Sequence, residues 1–184
     1  MGEYRFCSDI HFNHKNVLSY DKRDFETIEE HDNYIIKQWN NTVEYDDIVW
    51  ILGDVSWHGV KKTIEILNSL NGSKNLIIGN HDKKFLKNKD FRDCFNEIAY
   101  YKELPFENDK FIVLCHYPIA AFNGNYYGNY HFYGHVHNGW EYECIEKYKQ
   151  ERDSIKKPLN MYNVYLPKLD YAPRTAKEII LNNY

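Results

Sequence analysis

The sequence predicts an α/β protein in which short buried strands alternate with amphipathic helices. Five runs rich in β-branched and aromatic residues have the length of strands, and a polar side chain of a metal-binding type follows each run. Segments between these runs carry apolar residues at helical spacing. Because layered α/β folds place their chemistry at strand ends, we expect the polar side chains to meet along one edge of the sheet.

The predicted strands are recognised by their apolar content and by an abrupt polar end. They cover residues 4–8, 48–52, 75–78, 111–115 and 131–133. An isolated run of this kind could also belong to a buried helix. Its short length and its flanking Gly, Asn or Asp residues favour a strand followed by a loop.

The predicted helices are marked by start and stop signals. Residues 27–41 open with a capping box formed by Thr27 and Glu30. Residues 60–70 carry apolar side chains at helical spacing, and an Asn-Gly pair follows them. Another capping box, formed by Thr175 and Glu178, predicts a helix near the end of the sequence.

Two stretches resemble neither a strand nor an amphipathic helix. Residues 117–130 are rich in Tyr, Asn and Gly, which predicts a loop between two of the polar clusters. Residues 141–158 are dense in charge, which is typical of a solvated helix or the tip of a hairpin. Repeats, low-complexity segments and an interdomain linker are not evident, so residues 1–184 are predicted to form a single domain.

Composition narrows the possible partners and the cellular location. The net charge is −4, which argues against binding to long duplex nucleic acid but leaves a nucleotide or a short oligonucleotide open. We expect no membrane partner, because the sequence contains no apolar run of membrane-spanning length and no apolar signal core. The four cysteines include no C-x-x-C pair. These features predict a cytoplasmic protein, and they leave its oligomeric state open.

Seven side chains of metal-ligand type follow the predicted strands in five short clusters. Two clusters space their ligands by two residues, and positions i and i+2 of an extended backbone point to the same side. Both side chains of such a pair can therefore reach one ion. The seven candidates are Asp9, His11, Asp54, Asn80, His116, His135 and His137.

Each cluster alone has an ordinary explanation. Asp9 could cap a helix, and Asn80 could belong to a turn in which Gly79 permits an unusual backbone angle. His116 after an apolar strand could be a histidine that is hydrogen-bonded within the core. Asp54 is harder to explain in this way, because a carboxylate beside a fully apolar strand is costly to bury unless it is paired or binds a metal.

Taken in order, the series D-x-H, G-D, G-N-H-D, H and G-H-x-H resembles the calcineurin-like metallophosphoesterase superfamily over residues 9–137. The stretches 8–16 and 163–173 are similar to its small bacterial and phage-type phosphoesterases. The resemblance implies a four-layer αββα sandwich of two mixed β-sheets flanked by helices, with the metal site at the strand ends. It also implies a phosphoester hydrolase that uses two divalent metal ions.

The resemblance also implies a role for each candidate residue. His81 would lie near the substrate without binding metal, as the acid for the leaving group or as a stabiliser of the transition state. A hydroxide that bridges the two ions would be the nucleophile. The first ion would be held by Asp9, His11 and His137, the second by Asn80, His116 and His135, and both by Asp54.

The types of ligand favour some metals over others. Mixed imidazole, carboxylate and amide ligands suit borderline ions better than Ca²⁺ or Mg²⁺. Mn²⁺ is the first choice, with Fe²⁺ or Zn²⁺ as alternatives. Two such ions would outweigh the charge of Asp9, Asp54 and a hydroxide, which leaves the site attractive to an anionic phosphate.

The sequence favours a phosphodiesterase that acts on a nucleotide or another small diester. Serine/threonine phosphatases of the superfamily carry G-D-x-x-D-R-G, and residues 53–59 lack its Asp-Arg pair. His14 is the first candidate for substrate binding, and Lys15 or Arg23 could add phosphate contacts. Phosphomonoesterase or nucleotidase activity remains open, as does a noncatalytic scaffold, although scaffolds usually lose ligands that are retained here.

Aromatic residues of the 117–130 loop offer a second way to bind a nucleotide. Phe122, Tyr126 and Tyr127 could stack on a nucleobase, or their rings could fold onto the core. Two histidines outside the motifs, His58 and His131, are expected to serve in packing or in supporting the ligands, and His31 is expected to lie on the face of a helix.

Overall fold

The computed structural model describes residues 2–182, which form two β-sheets with helices on their outer faces. The strands are β1 (Tyr4–Cys7), β2 (Ile48–Ile51), β3 (Ser73–Ile77), β4 (Ile98–Ala99), β5 (Tyr101–Pro105), β6 (Phe111–Cys115), β7 (Tyr130–Tyr133), β8 (Met161–Asn163) and β9 (Arg174–Thr175). The helices are α1 (Val17–Tyr20), α2 (Ile28–Thr42), α3 (Val60–Ser69), α4 (Lys89–Arg92), α5 (Trp140–Ser154) and α6 (Ala176–Asn182). The five strands predicted from the sequence correspond to β1, β2, β3, β6 and β7.

Both sheets are mixed, as predicted. In the first sheet the order is β4-β3-β2-β1-β9, and β9 alone runs antiparallel to its neighbour. In the second sheet the order is β5-β6-β7-β8, with β5 antiparallel to β6 and the other pairs parallel. Parallel neighbours share one direction, so the carboxyl ends of β1, β2 and β3 meet at one edge, and those of β6 and β7 at another.

The two sheets pack face to face with helices outside them. Phe6 of β1 meets Phe132 of β7 edge to face, with 5.0 Å between the ring centroids. Along β6, Ile112 belongs to the core cluster that contains Phe6. The next residue, Val113, faces the opposite side and belongs to a smaller cluster against which Ile145 of α5 packs. This alternation is what a strand buried on both faces requires.

The capping signals predicted for two helices are present, although one is rearranged. The Thr27 hydroxyl accepts a hydrogen bond from the Glu30 amide at 3.1 Å, but the Glu30 carboxylate accepts from the Glu26 amide at 3.0 Å instead of from Thr27. Thr175 and Glu178 form the full reciprocal box, at 2.8 and 3.3 Å. These bonds satisfy amides that the first turn of a helix leaves without partners.

The two stretches without a clear prediction take different structures. The 117–130 loop contains a short 3₁₀ helix, Asn125–Tyr127, and its Phe122 side chain is buried. The charged stretch forms α5, so the helix alternative is the correct one. Within residues 2–182, none of the helices combines the length and the apolar character needed to cross a lipid bilayer.

Candidate metal centre

The strand ends gather the predicted site residues around a cavity of about 400 Å³. Asp9 and His116 are almost fully buried and lie beside the residues that face the cavity. Side chains from β1, β2 and β3 therefore meet side chains from β6 and β7, across the boundary between the sheets. The predicted residues that line the cavity are His11, Asp54, Asn80, His81, His135 and His137.

One group of ligand-type atoms is formed by Asp9, His11 and His137. The Nε2 atoms of His11 and His137 lie 3.1 Å apart. Asp9 Oδ1 lies 3.3 Å from His137 Nε2 and 3.8 Å from His11 Nε2. Two imidazole nitrogens and a carboxylate oxygen that converge at these distances can coordinate one cation.

A second group is centred on Asn80. Its side-chain Oδ1 lies 2.9 Å from His116 Nε2 and 2.9 Å from His135 Nδ1. Asn80 contributes a neutral oxygen, so this group holds less negative charge than the group around Asp9. His116 is buried and His135 is exposed, which places the second group nearer the solvent.

The Asp54 carboxylate lies between the two groups. Its Oδ2 is 4.0 Å from His11 Nε2, in the first group. Its Oδ1 is 3.8 Å from His116 Nε2, in the second group. One carboxylate with an oxygen toward each group is positioned to be shared by two ions.

Asp9 provides the clearest sign that these residues suit cations. Among the described residues, none forms a hydrogen bond with Asp9 Oδ1, although the atom is buried. Its nearest polar neighbours are the Nε2 atoms of His137 and His11, at 3.3 and 3.8 Å, and a divalent cation held among these three atoms would satisfy the buried oxygen more fully. The imidazole, carboxylate and amide donors of both groups fit borderline divalent ions.

Burial and neighbouring charges set the protonation of the ligands before a cation binds. Burial raises the pKa of Asp54 to about 7, and the nearby Asp9 charge acts in the same direction. Burial lowers the pKa of His11 to about 3, so this imidazole is neutral at pH 7. Burial opposes the charged form of His137, but the Asp21 and Asp9 carboxylates outweigh it and raise the His137 pKa to about 9.

The backbone at the ligands is strained. Asp9, His11, Asp54, His135 and His137 have φ between 47° and 70°, in the left-handed region that residues other than Gly seldom adopt. Each such residue costs about 1–3 kcal/mol, which the surrounding structure must offset. The sharp turns that result bring side chains from neighbouring strand ends toward a common point.

Two glycines leave room for the carboxylates. A Cβ on Gly79 would lie 2.3 Å from Asp54 Oδ1, and a Cβ on Gly134 would lie 1.8 Å from Ser8 Oγ. Gly79 was expected to permit an unusual backbone angle, but it is not among the residues with positive φ. The close approach of Asp54 is the physical reason for a glycine there.

Asp21 belongs to the site, but it stands in no motif that could reveal it from sequence. Its Oδ1 lies 2.8 Å from His137 Nδ1, and its Oδ2 accepts a hydrogen bond from the Tyr165 hydroxyl at 2.6 Å. A carboxylate on the outer nitrogen of a histidine ligand fixes the ring and leaves Nε2 for the metal. Asn163 adds a bond to the His137 carbonyl oxygen at 2.5 Å.

Arg23 is buried and does not line the cavity, so the expected phosphate contact does not hold. Its guanidinium donates to the Asp9 and Ile10 carbonyl oxygens, each at 3.0 Å, and pairs with Asp21 at 3.2 Å. The nitrogen that donates to Ile10 also lies 2.8 Å from His31 Nε2. Arg23 thus braces the strained turn that carries Asp9.

Asp82, the residue after His81, is bound by backbone amides. It is fully buried, and its carboxylate accepts hydrogen bonds from the amides of Asp54, Val55 and Gly79 at 2.9, 3.0 and 2.8 Å. These bonds join the loops that follow β2 and β3. Asp82 therefore sets the position of Asp54, and both of its carboxylate oxygens accept hydrogen bonds from backbone amides.

His81 and His14 occupy different positions relative to the cavity. The His81 side chain is 49% exposed, and its Nε2 lies 3.9 Å from Asp54 Oδ2. His14 is stacked on Trp57 with 3.8 Å between the centroids, and its Nδ1 lies 3.0 Å from His11 Nδ1. His14 therefore contacts a ligand from outside the ligand group, and substrate binding by it stays a prediction.

The remaining side chains singled out in the sequence lie away from the cavity or are buried. His131 is buried, with its ring nitrogens toward the Ile119 amide and the Val113 carbonyl. Tyr126 and Tyr127 are exposed, but neither they nor Lys15 are among the residues that line the cavity.

Comparison with known proteins identifies the family. The family model described as calcineurin-like phosphoesterase matches residues 4–154. The chain belongs to the calcineurin-like phosphoesterase family. Membership supports metal-dependent hydrolysis of phosphoesters. Two sets of side chains in the described residues could each hold a metal ion, Asp9 with His11 and His137, and Asp9 with Asp54 and His116.

Similar proteins come from archaea, bacteria and phages. Uncharacterized protein MJ1445 of Methanocaldococcus jannaschii is 39% identical over 184 residues, which cover 98% of this chain and 90% of that protein. The Gene 66 protein of Mycobacterium phage L5 is 40% identical over 93 residues, which cover 49% of this chain and 44% of the phage protein. A crystal structure of a protein of unknown function, AQ665 from Aquifex aeolicus, matches with a TM-score of 0.72 and 26% identity, covering 97% of this chain and 98% of the other.

Proposed function

We propose that this protein is a two-metal phosphodiesterase that cleaves nucleotide or other small diesters. The observation that carries the proposal is the Asp54 carboxylate, whose two oxygens face two separate groups of ligand atoms. A shared carboxylate of this kind sets two ions close enough to act on one phosphate.

The ligand atoms divide between two ions. Two divalent ions held there would activate a water molecule at neutral pH and neutralise charge on the phosphoryl oxygens. Mn²⁺ is our first choice, with Fe²⁺ or Zn²⁺ as alternatives. Asp9, His11 and His137 would hold the first ion, Asn80, His116 and His135 would hold the second, and Asp54 would be shared between them.

His81 is proposed to act on the leaving group. Its ring is half exposed at the cavity, and its Nε2 reaches to within 3.9 Å of the shared Asp54 carboxylate without belonging to either ligand group. It packs against Trp57, with 4.4 Å between the centroids, which limits the orientations of the ring. From this position the imidazole can donate to the oxygen that departs from phosphorus.

The cavity walls favour a diester over a monoester. Among its described lining residues are three carboxylates, Asp21, Asp54 and Glu141, and no lysine or arginine. A monoester dianion would rely on the metal ions and histidines alone to offset its second charge. A diester carries a single negative charge and so suits this wall better.

The test compares bis-p-nitrophenyl phosphate with p-nitrophenyl phosphate in the Mn²⁺-loaded protein. We expect a higher kcat/KM for the diester, and a loss of turnover on both substrates in Asp54→Asn. Asp109→Asn is the matched control, because Asp109 also has a positive φ but lies exposed in a turn. A preference for the monoester would refute the diester assignment, and undiminished turnover in Asp54→Asn would refute the shared carboxylate.

A further inference from the structure

One aromatic side chain faces the proposed substrate cavity. Of the described residues that line it, Tyr20 is the only one with a Phe, Tyr or Trp side chain. Tyr20 is the last residue of α1, and it is 53% exposed. A large ring that stays half exposed beside a cavity provides apolar surface for a ligand.

Neighbouring rings hold Tyr20 in place. Its ring lies against His137, with 6.2 Å between the centroids and an interplanar angle of 25°. Tyr165 also stacks on His137, at 4.7 Å and 11°. The Tyr20 hydroxyl lies 3.4 Å from His14 Nδ1. The ring is therefore positioned through a metal ligand that is itself fixed, and it need not reorganise much to receive a ligand.

Other aromatic residues near the site pack on neighbouring groups or lie outside the cavity lining. Tyr117 packs against His116 and His135 and is not among the described residues that line the cavity. Trp57 is stacked on His14 at 3.8 Å and on His11 at 4.6 Å. Phe122 is buried in the core, and Tyr126 lies under the Arg152 guanidinium at 5.1 Å. Tyr20 thus replaces the rings of the 117–130 loop as the candidate for stacking.

The cavity around Tyr20 also offers polar groups. Asn138 and Glu141 line it together with Tyr20. An amide and a carboxylate can accept hydrogen bonds from hydroxyl or amino groups, and the amide can also donate. A volume of about 400 Å³ lies within the range that holds small organic ligands, so a phosphate would leave part of it for an ester group.

Tyr20 and His81 contact different parts of the site. Ring contacts of Tyr20 are made with His14 and His137. His81 packs instead against Trp57 and His11. If His81 donates a proton to the leaving group, Tyr20 faces the ester group that stays on phosphorus.

We propose that Tyr20 stacks on the ring of the retained ester group, and that the substrates are therefore nucleoside phosphodiesters. The inference rests on the proposed function, since it assumes that a phosphodiester occupies the cavity. It goes further by naming the residue that recognises the nucleoside and the chemical class that this residue selects.

The test uses two diesters with the same leaving group. Thymidine 5′-(p-nitrophenyl phosphate) retains a nucleoside, whereas methyl p-nitrophenyl phosphate retains a methyl group. In Tyr20→Leu we expect KM to rise about tenfold for the thymidine diester and to stay unchanged for the methyl diester. Tyr20→Phe should behave like the original protein on both, because it keeps the ring.

A binding measurement without turnover supports the kinetics. Stacking quenches 2-aminopurine fluorescence, so we expect a 2-aminopurine nucleotide to be quenched by the Mn²⁺-loaded protein and by Tyr20→Phe, but not by Tyr20→Leu. Equal KM changes for the two diesters, or quenching that persists in Tyr20→Leu, would overturn the role of Tyr20. Failure of the original protein to cleave any diester would instead defeat the proposed function.

Discussion

The two ligand groups of the candidate metal centre differ in charge, burial and support. The group of Asp9, His11 and His137 contains its own carboxylate, and Asp21 holds His137 from outside. The group of Asn80, His116 and His135 contains a neutral amide. In it, a main-chain carbonyl, that of Leu52, lies 2.7 Å from His116 Nδ1.

Because of this difference, two cations bound in the cavity would be held with unequal strength. A cation in the first group would meet two carboxylate ligands, Asp9 and the shared Asp54. The proposed ligands of the second group include Asp54 as their one carboxylate, and Asp9 lies within 4.8 Å of the ligand atoms of Asp54 and His116. The first group is also more buried, and lower exposure to water strengthens charge interactions. We therefore expect stepwise binding, with the ion of the first group held more tightly.

Removal of the Asp9 carboxylate should change metal binding most. Asp9→Asn should weaken the tighter binding step for Mn²⁺ by more than about 100-fold, beyond the effect typical of residues that only support a ligand. Asn80→Ala should weaken the second step and leave the first nearly unchanged. Titration calorimetry of the two variants measures both steps, and equal effects on both steps in each variant would contradict the unequal groups.

Removal of the Asp21 carboxylate, which supports His137 of the first group, should weaken metal binding to a smaller extent. Asp21→Asn should lower the affinity of the tighter ion by about 10–100-fold, because His137 loses the carboxylate that orients its ring. Binding of the second ion should change little. Asp170→Asn is the matched control, since Asp170 is an exposed carboxylate outside the cavity lining. An unchanged first step in Asp21→Asn would show that this carboxylate does not support the site.

The affinity for the tighter ion should also depend on pH. Ligands must lose their protons to bind a cation, and the pKa values of Asp54 and His137 are raised, to about 7 and about 9. Binding of the tighter ion therefore releases protons, and its affinity should increase by about tenfold or more per unit between pH 6 and pH 8. Calorimetry in buffers with different ionisation enthalpies counts the protons; an affinity independent of pH in this range would contradict the raised values.

The candidate ligands could be predicted from the sequence because each stands just after a strand. Asp54 comes just after an apolar run that forms buried backbone, and His135 and His137 come just after another. The extended backbone expected for the His135 and His137 pair is not observed, because both residues have a left-handed φ. Such local patterns depend on residues a few positions apart. The strands and the motif order that predicted the family belong to this class.

Residues that support the ligands could not be predicted in this way. Asp21 reaches His137 across 116 positions, and Tyr165 reaches Asp21 across 144. No periodicity or turn signal connects positions so far apart. Arg23 was misjudged for the same reason, because its partners are carbonyl groups of a turn whose shape is visible only in the folded chain.

The alternation of strands and helices, the gathering of polar side chains at strand ends, and the family could all be predicted from the amino-acid sequence. Those features follow from spacing along the backbone, where apolar periodicity and steric preference act locally. Only the tertiary structure decided which oxygen of Asp54 faces which histidine, that Asp21 backs His137, and that Tyr20 forms the aromatic wall. These depend on how two sheets pack, since packing alone sets distances between side chains far apart in the chain.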